Sequence, residues 1–143
     1  MGEAHDLAQR HIDAFNNRTW NDATSIYSPD LVTIEPSAGT MNGIDEFVAM
    51  ASGFAAALPD SRLVVGQITE DGDRVIVEGK YTGTHTAPMQ TPQGVVPPSG
   101  RSLDLPYCEI FEVEAGRIAR HRVYYDQMTF AAQLGLLPEP AKS

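Results

Sequence analysis

The feature that most constrains this chain is a change in hydrophobic periodicity near residue 62. Before it, apolar residues recur every three or four positions from Ala4 to Phe15 and again from Ile44 to Leu58, which is the spacing of helices with one buried face. After it, apolar and polar residues alternate, which is the spacing of strands with one buried face. The alternating segments are residues 63–70, 74–84, 103–114 and 117–126.

Turn residues join these four strands into two hairpins, around Asp71-Gly72-Asp73 and around Ala115-Gly116. Upstream, a short helix is predicted around residues 23–27 and a short strand over 31–35. Helices followed by consecutive hairpins are typical of an α+β domain. We therefore expect a curved antiparallel sheet wrapped around three N-terminal helices, a cone whose interior can hold a small molecule.

Length and charge limit the class of protein further. A chain of 143 residues is the size of one domain, and we expect residues 1–143 to form a single one. The net charge of −9 disfavours nucleic-acid binding, and no apolar run reaches the length of a membrane span. The only cysteine, Cys108, excludes an internal disulfide, which fits a cytoplasmic location.

The segment from His85 to Gly100 is the one long loop, with four prolines and two glycines. Long loops in compact domains are often functional. Because His85 begins this loop, we expect its side chain near the mouth of the pocket.

Five short motifs give the second half of the chain a family resemblance. They are Gly83-Thr84-His85, Pro97-Pro98-Ser99-Gly100-Arg101, Gly116-Arg117-Ile118, Asp126-Gln127-Met128 and Gln133-Leu134-Gly135-Leu136. Together, over residues 79–137, they resemble the SnoaL-like polyketide cyclases of the NTF2-like (ketosteroid isomerase-like) superfamily, and residues 5–58 agree more loosely. The resemblance implies the cone-shaped fold and a homodimer. It does not settle the chemistry, because this fold carries many activities.

Asp126 is the first candidate catalytic residue. In cyclases of this family an aspartate at the end of the last strand is the general acid/base for an aldol closure, and Asp126 matches that position. Removing a proton beside a carbonyl needs a base whose pKa is raised toward 7 by desolvation. Asp126 could instead cap the following helix through the amide of Met128 or Thr129, and capping would oppose that rise.

Glu109 and Arg122 are the other catalytic candidates. Glu109 shares one face of its strand with Leu103, Leu105, Tyr107 and Phe111, where a carboxylate must be paired or lie in a pocket. The opposite register, which stays open, would bury Asp104, Cys108, Ile110 and Glu112. Arg122 has the parity of Asp126, so we expect it to pair with Glu109 across the hairpin or to contact a substrate carbonyl.

The expected pocket wall is mostly aromatic. Its substrate-binding candidates are Phe15, Phe47, Tyr107, Tyr124, Glu35 and His85. Glu35 ends the first strand and could point inward or into solvent. His121 has the opposite parity to Asp126 and is expected on the outer face.

The sequence implies no cofactor. The four histidines, His5, His11, His85 and His121, show no metal-ligand spacing, and neither a metal nor a nucleotide motif is present. The function indicated is a cofactor-free cyclase or isomerase that acts on a hydrophobic carbonyl compound. Two alternatives stay open: a non-catalytic small-molecule binder, and an epoxide hydrolase-like enzyme, which would need a second aspartate.

A homodimer is expected through an outer sheet face formed by Val75, Val77, Val123 and Tyr125.

Overall fold

The fold is known from a computed structural model that describes residues 2–21, 23–91 and 94–137. Its helices are α1 (Glu3–Asn17), α2 (Ile44–Ala57) and α3 (Gln127–Gln133). Its strands are β1 (Tyr27–Glu35), β2 (Gly39–Asn42), β3 (Arg62–Asp71), β4 (Arg74–Thr84), β5 (Met89–Thr91), β6 (Gly94–Val96), β7 (Ser102–Glu114) and β8 (Arg117–Tyr124). No helix among the described residues is long and apolar enough to cross a membrane.

Six strands form one curved sheet in the order β2-β1-β8-β7-β4-β3. All neighbours are antiparallel except β1 and β8, which run parallel and place Thr33 beside His121. Strands β5 and β6 form a separate small hairpin within the long loop. The α+β cone is confirmed, and the sheet is mixed rather than wholly antiparallel.

Helix α1 is held at both ends by residues distant in sequence. No side chain of its own caps its start; instead Glu70 of β3 accepts hydrogen bonds from the amides of Gly2 and His5, at 3.0 and 2.9 Å. At the other end Arg18 adopts a left-handed conformation, and its guanidinium donates to the carbonyl of Ser61 at 2.9 Å. These contacts fix α1 across the concave face of the sheet.

The concave face of the sheet carries the core. The residues of β7 that lie on it are Leu103, Leu105, Tyr107, Glu109, Phe111 and Val113, as the first of the two registers predicts. Val75 and Val77 of β4 are also fully buried there. The expectation that these two valines form an outer dimer face is therefore wrong.

The predicted helix at residues 23–27 is only a 3₁₀ turn, Thr24–Ile26, after which Tyr27 begins β1. The third helix, α3, instead follows the last strand. Its Phe130 packs against Phe54 of α2 and against Tyr125, with ring centroids 6.2 and 5.8 Å apart.

Candidate active site

A largely apolar cavity lies between α1, α2, α3 and the concave face of the sheet. The space between these walls, together with the adjoining open solvent, is about 620 Å³. Its wall is formed by His11, Phe15, Glu35, Phe47, Met50, Ala51, Phe54, Leu63, Tyr81, Leu105, Tyr107, Glu109, His121, Val123, Tyr125 and Phe130. No arginine or lysine is among these residues.

Glu109 is the centre of the polar part of this wall. Its Oε1 accepts a hydrogen bond from Nε2 of His121 at 2.9 Å and another from Nε2 of His11 at 3.1 Å. The three side chains come from β7, β8 and α1, and all are buried. We call His11, Glu109 and His121 the histidine–glutamate cluster.

The Nδ1 atoms of His11 and His121, which do not contact Glu109, differ in their surroundings. Nδ1 of His11 lies 2.7 Å from the hydroxyl of Tyr27. Nδ1 of His121 has no hydrogen-bond partner among the described residues. Because Nε2 of His121 donates to Glu109, a neutral His121 carries its proton on Nε2 and presents an unshared electron pair at Nδ1.

The cluster shifts the pKa values of its members. Burial raises the pKa of the Glu109 carboxyl, but the neighbouring His11 and the two imidazole hydrogen bonds outweigh burial and hold that pKa well below its usual range. Burial, reinforced by His11, lowers the pKa of His121 against the opposing effect of Glu109. Near neutral pH, Glu109 is therefore a carboxylate and His121 a neutral imidazole.

Two phenols on the wall have hydroxyls with no hydrogen-bond partner among the described residues, those of Tyr81 and Tyr107. Burial raises the pKa of Tyr81 to about 12, and burial together with the charge of Glu109 raises that of Tyr107 further. Both are therefore neutral donors. A buried polar group without a partner costs about 1–3 kcal/mol, so these hydroxyls favour a bound molecule that carries acceptor oxygens.

Glu35 forms a second polar group on the wall. Its Oε2 accepts from the amides of Ser37 and Ala38 at 3.0 and 2.8 Å and from the Ser37 hydroxyl at 2.6 Å, while Oε1 accepts from the hydroxyl of Tyr125. Glu35 is 2% exposed, so it points inward rather than into solvent. Its four hydrogen bonds join the β1–β2 turn to the end of β8.

Five of the predicted site residues do line the cavity: Phe15, Phe47, Tyr107, Glu109 and Glu35. The other four, Asp126, Arg122, Tyr124 and His85, are not part of its wall.

Asp126 caps α3 and is solvent-exposed. Its carboxylate accepts from the amide of Met128 at 2.9 Å and from the hydroxyl of Thr129 at 3.0 Å. These two bonds, with that of Thr129 the stronger, lower the pKa of Asp126, which is the opposite of what a general base at neutral pH needs. The expected position of Asp126 inside the pocket is not what the structure shows.

Arg122 and Tyr124 lie on the convex face, because the parity of β8 is the reverse of the expected one. Directly opposed residues of an antiparallel pair share a face, and Glu109 is opposite Val123 while Phe111 is opposite His121. Arg122 therefore pairs with Glu112 at 3.2 Å, not with Glu109. His121 and Tyr125 line the cavity, where Arg122 and Tyr124 were expected.

His85 is fully buried but lies away from the cavity wall. Its Nδ1 accepts from the amide of Ser99 at 3.2 Å and lies 3.0 Å from the Ser99 hydroxyl. This side chain closes the long loop on itself. The expected contact of His85 with the pocket mouth is not formed.

The histidines show no metal-ligand spacing along the chain, yet the ligand-type atoms of His11, Glu109 and His121 lie within 4.8 Å of one another. Two histidines and one carboxylate are a set that divalent ions use. The N···O separations of 2.9 and 3.1 Å are those of N–H···O hydrogen bonds, so hydrogen bonds join the three side chains.

One protein family and several solved structures are similar to this chain. The family model described as SnoaL-like polyketide cyclase matches residues 5–134. No curated protein matches the chain.

Solved structures share the fold. A protein described as "Putative SnoaL-like polyketide cyclase" from Jannaschia sp. CCS1 is 22% identical with a TM-score of 0.83, over 95% of this chain and 94% of that one. IdmH from Streptomyces antibioticus, described as "a putative polyketide cyclase", is 26% identical with a TM-score of 0.79, over 94% and 99%. AclR from Streptomyces galilaeus, described as "a putative hydroxylase", is 24% identical with a TM-score of 0.79, over 95% and 98%.

Proposed function

The chain belongs to the SnoaL-like polyketide cyclase family, and we propose that it is an enzyme that closes or isomerises a hydrophobic carbonyl compound by proton transfer inside the cavity. The observation that carries the proposal is the free Nδ1 of His121, on a neutral imidazole that Glu109 orients and that lines an apolar cavity. This assigns to His121 and Glu109 the acid/base role that the sequence suggested for Asp126.

A carboxylate bonded to one nitrogen of an imidazole makes the other nitrogen an effective base. It fixes the tautomer and the ring orientation, and it stabilises the imidazolium that forms when a proton arrives. Glu109 does this through a 2.9 Å bond to Nε2 of His121. The ring of His121 is also stacked on Phe111, with centroids 4.8 Å apart and planes 15° apart, which restricts its rotation.

An aldol closure is balanced with these groups alone. Nδ1 of His121 takes a proton from the carbon beside one carbonyl of the substrate, which leaves an enolate. The enolate carbon forms a carbon–carbon bond with a second carbonyl carbon, whose oxygen becomes an alkoxide. The proton held at His121 returns to that oxygen, so nothing is consumed. Isomerisation begins with the same removal of a proton but forms no carbon–carbon bond: the proton held at His121 returns to a different carbon of the enolate.

The wall supports a largely apolar substrate. Phe15, Phe47 and Phe54 supply aromatic surface, and the hydroxyls of Tyr81 and Tyr107 supply donors for carbonyl or enolate oxygens. The absence of lysine and arginine from the wall disfavours an ionised carboxylate as the group bound there. Epoxide hydrolase-like chemistry has less support, because Arg122 lies on the convex face.

Proton exchange tests the proposal without knowledge of the natural substrate. Neutral aromatic 1,3-diketones would be incubated with the protein in D₂O, and loss of the C–H signal followed by NMR. We expect the wild type to accelerate exchange and His121→Gln to lose about 100-fold or more, whereas Asp126→Asn, outside the cavity, keeps the wild-type rate. Compounds that bind, measured by tyrosine and tryptophan fluorescence, but exchange no faster than in buffer would favour the non-catalytic binder.

We also propose a homodimer, now through a different set of residues on the convex face. The β-sheet register places Ile34, Arg122, Ile110 and Ile76 in one row across four strands of this face. Ile34, Val64 and Tyr124 on the convex side are 43%, 48% and 51% exposed. Light scattering should give about twice the 15.5 kDa chain mass and Ile110→Asp the mass of one chain; a wild-type mass of one chain would contradict the proposal.

A further inference from the structure

We propose that His11, supported by Tyr27, is a positioning residue that holds the charge of the cluster, so that His121 stays neutral and its Nδ1 stays free to take a proton. The inference rests on the proposed function and adds a role for a histidine on α1 that no motif of the chain marks. Both imidazoles bond to the same oxygen of Glu109, so the question is which of them carries an extra proton.

The surroundings of the two rings answer that question. If His11 becomes an imidazolium, its Nδ1–H has an acceptor, the oxygen of Tyr27 at 2.7 Å, and the donor left without a partner is the neutral Tyr27 hydroxyl rather than a charged N–H group. If it is neutral, the Tyr27 hydroxyl can donate to Nδ1 instead, so this contact persists in both states. If His121 becomes an imidazolium, its new Nδ1–H has no acceptor among the described residues, and an unpaired buried donor is costly.

Packing keeps His11 in this position. Its ring is 4% exposed and makes edge contacts with Phe111 and Tyr27, with centroids 4.9 and 5.9 Å apart, and a tilted contact with Phe47 at 5.7 Å. The ring therefore cannot turn away from Glu109 without opening the core. Its 3.1 Å bond to Glu109 is a fixed part of the cavity wall.

The charged groups around His121 also favour a neutral His121 and a positive charge on His11. From α1, His11 lowers the pKa of His121, in addition to the larger effect of burial. From β7, Glu109 raises it, and from β1, Glu35 raises it further. The packed face of α2 contributes Phe47, which is uncharged. Removal of His11 would thus leave two carboxylates acting on His121 with no competing cation, and His121 itself would then become the charged partner of Glu109.

The test is an NMR titration of the histidine side chains in the free, ¹⁵N-labelled protein. In the wild type we expect His121 to stay neutral, with its proton on Nε2, at pH values below the ordinary histidine midpoint of about 6.5. In His11→Gln the midpoint of the His121 titration should rise by about one pH unit or more, the size typical for loss of a nearby like charge. The acid limb of the exchange rate against pH should move upward by the same amount.

Two further variants make the result decisive. Tyr27→Phe removes only the hydroxyl and should raise the His121 midpoint in the same direction, so it tests the idea if His11→Gln does not fold. His5→Gln, on the same helix but outside the cavity wall, should leave the His121 midpoint unchanged. A folded His11→Gln or Tyr27→Phe with the wild-type midpoint, within about 0.3 pH units on the scale of such shifts, would overturn the inference.

The titration needs no substrate, so it separates this inference from the proposed function. A shifted midpoint in a protein that exchanges no substrate proton would support the role of His11 and reject the enzyme. An unshifted midpoint in a protein that does exchange protons through His121 would reject only the role of His11.

Discussion

Replacement of Glu109 by glutamine tests the central feature of the site, a buried carboxylate that accepts two imidazole hydrogen bonds. The side chain keeps its size and one acceptor oxygen, so both N–H groups can still be bonded. What changes is the charge of the acceptor. The amide nitrogen also takes the place of Oε2, which has no partner among the described residues.

The magnitude follows from the two bonds. A hydrogen bond to a charged group contributes about 1.5–3 kcal/mol and one between neutral groups about 0.5–1.5 kcal/mol, so the loss is about 1 kcal/mol per bond and about 2 kcal/mol in all. For 143 residues, an unfolding entropy of about 2.1 cal/mol/K per residue converts this into a fall in Tm of about 6–7 °C.

The assay is urea unfolding of both proteins from pH 7.5 down to pH 3. Because the folded-state pKa of Glu109 is below its unfolded value, the stability that it supplies is present above the unfolded pKa of about 4.3 and is lost as pH falls through the folded pKa. The difference in free energy of unfolding between wild type and Glu109→Gln should therefore be largest near neutral pH and should shrink below about pH 4.

Glu112→Gln is the matched control, on the same strand but on the convex face. Glu112 is partly exposed and pairs with Arg122 at 3.2 Å, a contact that contributes less than about 1 kcal/mol. Equal stabilities for wild type and Glu109→Gln at pH 7.5, or a difference that does not change with pH, would refute the assignment of Glu109 as a buried carboxylate.

Three further predictions concern the rest of the chain. Asp126→Ala should speed amide hydrogen exchange in α3, because the cap is lost, while Asp126→Asn should change it little; a 100-fold loss of proton exchange on substrate in the asparagine variant would contradict its place outside the site. Gly79→Ala should cost more than about 2 kcal/mol in urea unfolding, because the new Cβ would lie 2.3 Å from the carbonyl oxygen of Val64. Gly53→Ala, with open space on an exposed helix face, should stabilise by about 0.5–1 kcal/mol, and similar urea midpoints for the two alanine variants would argue against this reasoning. Glu70→Gln should speed amide exchange in the first turn of α1 at pH 7. The exchange rates of wild type and variant should converge as pH falls, because backbone hydrogen bonds lower the pKa of Glu70 and are lost when it is protonated. Equal rates at pH 7 would show that the cap is not formed.

Periodicity predicted the elements that have long, unbroken patterns. Strand β7 alternates without a break from Leu103 to Val113, so the sequence predicted the strand and allowed two registers, of which the structure has the one with Glu109 inward. The short helix predicted around residues 23–27 failed because its apolar residues are too few to fix a period. Tyr27 is buried there as the first residue of a strand, not as part of a helical face.

The parity predicted for strand β8 is wrong because it depends on Asp126, which lies beyond the end of the strand and caps α3. A bulge between Glu112 and Val113 shifts the register of the hairpin, and Ile118 and Ala119 are both buried in succession. The positions of Arg120 and Arg122 carried the better signal. Two arginines separated by one residue mark a solvent face, and His121 between them must then face inward.

The cluster itself could not be found from local pattern. His11 was part of the predicted apolar stripe of α1, where a histidine is most simply a core residue. Its partner Glu109 is 98 residues further along the chain, and no spacing rule connects positions on a first helix and a seventh strand. The sequence allowed Asp126 to be either an acid/base in the pocket or the cap of the following helix. Only the position of the side chain distinguishes these roles, and the structure shows the helix cap.

The same separation has a consequence for how the protein is made. The parallel pair β1–β8 and the bond between His11 and Glu109 both join the beginning of the chain to its end. A chain emerging from the ribosome can pack the apolar stripe of α1 on the β3–β4 hairpin, but the buried histidine of α1 has no Glu109 or His121 beside it until β7 and β8 are synthesised. Non-local pairing of this kind slows folding and exposes unfinished chains to association. We therefore expect a chain shortened before residue 117 to be caught by chaperones or degraded, and the site to form in the final step of folding.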